Sequence, residues 1–261
     1  MERFFCRQMK NFLIYCRKKF RGEIMKFLRE LWDALIYFIF PPRCPVCREI
    51  GDEQYRLCSE CEKKVLRLDF YDRPPAPINS VMRVTKYRDG SRELLHKLKF
   101  DNNLRVVPAM KKILDGVSNR AEILKLLSGV DFAVPVPLHA KRSSERGFNQ
   151  TELIFGEWLT KKNIPLKNLL IRTQATPKLY SLKRSEREKI LSGVFAAIEP
   201  IDLRGKKILI VDDIFTTGTT VKECAKVLKS LGAEKIFALA FAADFGENFD
   251  KHVRGEKIPS T

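Results

Sequence analysis

The chain has no apolar run approaching the about 18–20 residues that a membrane-spanning helix needs. The best candidate, residues 31–40 (LWDALIYFIF), is short and carries Asp33, so it reads as a helix packed within its own domain. The apolar pieces near the start (FF and FLIY) are too broken for a secretory signal core, and no small-residue cleavage site follows. Internal repeats and low-complexity tracts are also missing, which argues against solenoid and disordered classes. No Gly-x4-Gly-Lys-Ser/Thr loop occurs anywhere, so a P-loop ATPase is excluded. Acidic residues are in deficit: 32 Asp/Glu stand against 49 Lys/Arg, a net charge of +17. Such an excess favours polyanionic partners, whether nucleic acid, nucleotides or an anionic surface. Seven cysteines are too odd a count for a closed disulfide framework, and four of them form two Cys-x-x-Cys pairs. That usage fits a reducing cytoplasm, where thiolates are kept for metal.

At 261 residues the chain holds one sizeable α/β domain plus a small appendage. Residues 1–24 carry seven Lys/Arg against two Glu and read as a basic leader without a catalytic role, with Met25, at the head of a well-patterned helix, as an alternative translation start. Residues 25–72 combine an amphipathic helix, ended by Pro41-Pro42, with the cysteine pairs. A proline-rich linker spans 73–79, the main domain 80–245, and a polar tail 246–261. Within the main domain, strands are expected at 80–87, 131–137, 169–172, 206–211 and 235–242, alternating with helices at 92–100, 106–117, 150–161 and 219–231. Apolar strands separated by helices predict a mostly parallel sheet with helices on both faces.

Cys44-x2-Cys47-x10-Cys58-x2-Cys61 supplies four thiolates in two tight turns, the spacing of a tetrahedral, structural Zn²⁺ site. An iron–sulfur cluster or redox dithiol is the lesser alternative. Arg43, Arg48, Arg56, Lys63 and Lys64 surround the quartet and offset its charge. Cys6, Cys16 and Cys224 stand alone and read as buried or incidental thiols.

The most informative stretch is KKILIVDDIFTTGTT, residues 206–220. A buried parallel strand delivers Asp212 and Asp213, and a Thr/Gly loop then opens a helix, the place where open α/β sheets hold ligands. Amides at a helix N-terminus, with the hydroxyls of Thr216, Thr217, Thr219 and Thr220 around Gly218, can cradle a phosphate. Adjacent carboxylates can accept two neighbouring sugar hydroxyls. Phosphate and diol recognition together imply a ribose 5-phosphate.

This stretch resembles the motif of type I phosphoribosyltransferases for 5-phosphoribosyl 1-diphosphate (PRPP). Further on the amino side, DFAVPVPLH (residues 131–139) is a strand with a proline-constrained turn, followed by KRSSERGFNQ. Pro-Val-Pro-Leu with Arg-Gly-Phe-Asn-Gln is similar to the signature of the ComF family of bacterial competence proteins. Tyr87-Arg88-Asp89-Gly90 with LLHKLKF (residues 94–100) is a second landmark of that family, whose plainer reading is a strand, a turn and an amphipathic helix. The resemblance spans about residues 26–243 and includes the cysteine quartet. It implies that Asp212 and Asp213 hold the ribose hydroxyls and that residues 216–220 wrap the 5-phosphate. It places Arg142 and Arg146 in the diphosphate loop, Lys183 and Arg187 in a basic segment folding over the ligand, and Mg²⁺ with the PRPP. Two polar positions of the family pattern are apolar here, at Leu179 and Ile190.

Two classes of function follow. The resemblance favours a cytoplasmic protein of DNA uptake that handles single-stranded DNA alongside uptake-machinery proteins. The alternative is an active transferase that displaces diphosphate from PRPP with a nitrogen acceptor. From residue 25 onward the chain keeps 42 Lys/Arg against 30 Asp/Glu, so the basic excess does not reside in the leader.

Overall fold

The computed structural model describes residues 25–32, 34–52, 56–71, 74–88, 90–139, 147–174 and 189–244. The chain divides into two compact units, Met1–Arg43 and Cys44–Thr261. In the first, residues 25–32 and 34–39 are helical and together are labelled α1, with Lys26 3.9 Å from Glu30 one turn on. The helix stops before Pro41-Pro42, which cannot supply the amide hydrogens that would continue it.

The second unit is built on a five-stranded sheet in the order β1-β2-β7-β6-β3. Strands β2 (Ser80–Lys86), β3 (Phe132–Pro135), β6 (Lys207–Phe215) and β7 (Lys235–Ala243) run parallel, and β1 (Leu66–Tyr71) pairs antiparallel with β2 at the edge. A separate antiparallel pair joins β4 (Leu170–Arg172) to β5 (Phe195–Ala197).

The central parallel strands are mostly apolar because the sheet is covered on both faces, and their residues alternate between two cores. Leu209 and Val211 enter the first core, Ile208 and Ile210 the second. The first core is closed by α3 (Ser91–Phe100), α4 (Val107–Val117), α5 (Ala121–Leu127) and α6 (Gln150–Lys161). The second is closed by α7 (Thr219–Ser230), through Val221, Cys224, Ala225 and Leu228, and by residues of β4 and β5.

The cysteine-bearing segment takes part in this packing. Helix α2 (Ser59–Val65) runs directly into β1, and Cys44, Leu57, Cys61 and Val65 lie in the first core. Arg83 of β2, almost fully buried, locks the edge strand in place. Its Nη2 donates to Asp69 Oδ2 of β1 at 2.5 Å and its Nη1 to the Ala243 carbonyl at the end of β7.

The strand expected over 206–211 runs on to Phe215. Its pairing with β3 stops at Pro135↔Val211, but β7 accompanies it to Phe215↔Ala243. The last four residues of β6, 212–215, are therefore paired on one side only, and they include the acidic pair.

Candidate functional site

The cysteine quartet is assembled by two local turns. The first is closed by Arg48 N–H donating to the Cys44 carbonyl, with Arg48 in the left-handed region (φ 69°). The second is the start of α2, where the Cys58 sulfur accepts the Cys61 amide at 3.4 Å and caps the helix. Gly51 lets the intervening chain close, since a Cβ there would lie 2.0 Å from the Arg56 carbonyl oxygen. The four sulfurs all lie within 4.8 Å of one another, with Cys47 and Cys58 at 3.6 Å. Tetrahedral zinc with Zn–S near 2.3 Å requires sulfur separations of about 3.8 Å, so this donor set fits a zinc ion. Burial raises the Cys44 thiol, but the amides of Cys58, Cys47 and Val46 outweigh it and draw it down to about 7. Burial and then the neighbouring thiols push Cys61 up. Cys44 thus favours its thiolate, whereas Cys61 keeps its proton more strongly unless a cation compensates.

Asp212 and Asp213 lie in the one-sided stretch of β6, both buried. The Asp213 amide donates to Asp212 Oδ1 at 2.8 Å, and Asp213 Oδ1 accepts from Lys99 Nζ of α3 at 2.8 Å. Asp213 Oδ2 is buried with no hydrogen-bond partner. Burial, and then the charge of Asp213, push the Asp212 carboxyl well above the ordinary carboxylate range, while the Lys99 cation and the Asp213 amide pull it down. An acceptor buried without a donor costs about 1–3 kcal/mol, which a ligand hydroxyl can recover.

The loop that follows is shaped for an anion. Gly218 is left-handed (φ 74°) and a Cβ on it would sit 2.5 Å from the Phe215 ring, so only glycine lets this turn close. Gly218 is also the N-cap of α7 and no side chain caps that helix, leaving its first-turn amides for another acceptor. The Thr217 and Thr219 hydroxyls share a hydrogen bond of 2.9 Å. Thr216 is exposed, Thr219 is buried, and Thr217 and Thr220 are half-buried.

The basic residues expected over the diphosphate, Arg142, Arg146, Lys183 and Arg187, lie outside the described residues. The residues leading into those two segments do meet, His139 bridging Arg172 as parallel neighbours. Within the Arg-Gly-Phe-Asn-Gln signature, Asn149 caps α6 through a 2.9 Å bond from the Thr151 amide, and Phe148 packs on the first core. Cys224 is fully buried on α7; burial, then the Asp212 charge, push its thiol up, the setting of an inert structural cysteine. Cys6 and Cys16 lie outside the described residues.

Lys99 was not among the residues singled out by spacing. Its signal is faint: a lysine beside Leu95 and Leu98 on the apolar edge of an amphipathic helix, where most lysines only snorkel to water.

Two family comparisons bear on these features. Residues 176–257 match the phosphoribosyl transferase domain, and residues 35–72 match the double zinc ribbon domain. The chain is 29% identical over 196 residues to the DNA utilization protein YhgH of Escherichia coli K12, covering 74% of this chain and 80% of that one. It is 27% identical over 190 residues to the competence protein ComFC of Bacillus subtilis 168, covering 72% of each. Among solved structures, a hypoxanthine phosphoribosyltransferase from Staphylococcus aureus aligns with 58% of this chain and 70% of its own, with a TM-score of 0.35 and 12% identity.

Proposed function

We propose that this chain, a homologue of the ComF-type competence proteins with a phosphoribosyl transferase domain behind a structural zinc module, binds PRPP at the carboxyl edge of its parallel sheet and serves DNA uptake. The observation that carries the ligand assignment is the buried, partnerless Oδ2 of Asp213, a few residues ahead of a helix N-terminus that no side chain caps. One asks for a hydroxyl donor and the other for an anion, and a ribose 5-phosphate supplies both on one molecule. Asp212 and Asp213 hold the ribose diol, and Thr216, Thr217, Gly218, Thr219 and Thr220 wrap the 5-phosphate. Arg142, Arg146, Lys183 and Arg187 supply cations for the diphosphate. Mg²⁺ accompanying PRPP would supply charge for a departing diphosphate.

The DNA role rests on the names of the relatives and on charge. Lys63, Lys64 and Arg67 are exposed together on and after α2, and the chain from residue 25 onward keeps 42 Lys/Arg against 30 Asp/Glu. A single strand tracks such a surface by its phosphates. Uptake-machinery proteins and a cytoplasmic location belong to the same reading. No helix among the described residues is long and apolar enough to cross a membrane.

The acidic pair also favours a second reading, an active transferase. Buried carboxylates beside the ribose stabilise the positive charge that develops when diphosphate leaves and a nitrogen nucleophile arrives. One experiment separates the readings. Calorimetry with PRPP and Mg²⁺ is expected to show saturable binding. Diphosphate release across a panel of bases, with and without single-stranded DNA, then reports turnover. Absence of PRPP binding at millimolar ligand would remove the ligand assignment, and release with one base would move the enzyme to first place.

A further inference from the structure

Helix α3 stands apart from every motif of the ligand site, yet it supplies the one ion-pair partner of the acidic pair among the described residues. Its apolar face, Leu94, Leu95 and Leu98, is buried in the first core. Lys99, one position past Leu98, turns inward with only 17% of its side chain exposed and meets a carboxylate that is 6% exposed. A lysine pays side-chain entropy for such a position and gains little unless the carboxylate must be held.

The helix is itself held at several points. Gly90 begins it in the left-handed region (φ 96°), and a Cβ there would strike Val46 of the zinc knuckle at 2.6 Å and Val65 of α2 at 3.0 Å. The Ser91 hydroxyl donates to the carbonyls of Lys86 and Arg88. Lys97 Nζ donates to the Pro45 carbonyl, inside the first cysteine turn, at 2.5 Å. Residues two apart lie about 200° round a helix. Lys97 and Lys99 therefore reach two different sites from one rigid element, the zinc knuckle and the acidic pair.

Taking the phosphoribosyl reading as its basis, we propose that Lys99 is a positioning residue of that site. It offsets the charge of two adjacent buried carboxylates, occupies Oδ1 of Asp213, and thereby leaves Oδ2 aimed as an acceptor for a ribose hydroxyl. It acts on the ligand through Asp213, so its effect is confined to diol recognition and does not extend to the 5-phosphate. This separates a positioning role from a merely structural one, which would weaken every ligand alike.

The test compares ribose 5-phosphate with 2-deoxyribose 5-phosphate, which keeps the phosphate and loses one hydroxyl, by calorimetry on the full chain with zinc. The wild type is expected to prefer the ribose form at least tenfold, since a site built around a hydroxyl rejects the analogue that lacks it. In Lys99→Met the preference collapses towards unity while binding of the deoxy form is retained. Lys99→Arg keeps a cation in place and retains the preference. Zinc content and the melting curve verify that each variant is folded. Should Lys99→Met keep the wild-type preference, or lose both ligands equally, the positioning role is overturned and the phosphoribosyl reading stands. Should the wild type bind neither PRPP nor ribose 5-phosphate, the phosphoribosyl reading falls and takes Lys99 with it.

Discussion

The cysteine quartet and the acidic pair pose the same electrostatic problem and solve it in opposite ways. Each crowds anionic groups that repel one another until a cation arrives. In the quartet all ligands come from one short stretch, Cys44 to Cys61, and the cation is a free ion that any chain with the right turns can capture. In the pair, the cation is a side chain that lies 114 residues earlier in sequence and reaches the site only through the tertiary fold. A local chelate can fold around its metal. A carboxylate pair buried in a sheet has to wait until the helix carrying its lysine has packed. The two sites still share one mechanical element, because α3 touches the zinc knuckle through Lys97 and the pair through Lys99.

Removing the metal is the harshest way to break this arrangement. Metal analysis of the wild type is expected to find roughly one zinc per chain, and Cys44→Ser with Cys47→Ser to abolish it. If the quartet holds zinc, the melting temperature should also fall by about 10 °C or more, the shift that ~3–5 kcal/mol produces in a domain of this size. Because α3 leans on the knuckle, PRPP affinity should fall several-fold in the same variant. Unchanged affinity in a zinc-free protein would show that the two sites are mechanically independent.

Removing the pair attacks the other side of the comparison. Asp212→Ala with Asp213→Ala deletes the proposed diol acceptors. Each charge-assisted bond is worth about 1.5–3 kcal/mol, so PRPP affinity should drop at least tenfold while zinc content stays at the wild-type level. Stability should respond in the opposite sense. The raised Asp212 carboxyl binds its proton more tightly in the folded state than in the unfolded one. Wild-type stability therefore declines as pH rises from the ordinary carboxylate range through that raised value. Melting curves recorded as a function of pH should show this slope flattened in the double variant.

Gly218→Ala probes the loop alone. A left-handed alanine costs about 1–2 kcal/mol, and its Cβ meets the Phe215 ring at 2.5 Å. A several-fold loss of PRPP affinity with a melting decrease of a few degrees is expected, with zinc content unchanged. The gentlest change is Lys63→Glu with Lys64→Glu, on the exposed face of α2. Fluorescence anisotropy with a short oligonucleotide from about 50 to 300 mM salt should show weaker binding and a shallower salt dependence. PRPP binding should survive. If the wild type binds no single strand at the lowest salt, the DNA role fails.

Much of this molecule is legible from spacing. Helix α6 begins and ends at Gln150 and Lys161, the bounds expected for it, and α7 begins at Thr219, directly after its glycine. The cysteine spacing marked the four residues that the fold brings together, because each pair is a turn, and turns are local. Three features were not legible. Strand β1 carries no strand signal strong enough to stand out beside the cysteines; it forms because Arg83 and the β2 edge receive it. β6 extends past its apolar run into the acidic pair because β7 offers a partner on one side as far as Ala243. Lys99 has the sequence context of an ordinary amphipathic lysine, and nothing in that context marks which carboxylate it meets.

By itself the sequence determined the parts whose chemistry closes within a few residues: the cysteine quartet, the buried strand with its carboxylates, and the glycine turn that opens α7. Only the tertiary structure decided how those parts serve one another. It seated the cysteine segment in the first core and as the sheet's edge strand, left β6 half-paired at the acidic residues, and brought Lys99 to Asp213. The reason is physical. Turn geometry and periodicity act over a handful of bonds and leave their mark in neighbouring residues, whereas a buried ion pair forms between whichever charges the packing of distant elements leaves facing each other without water.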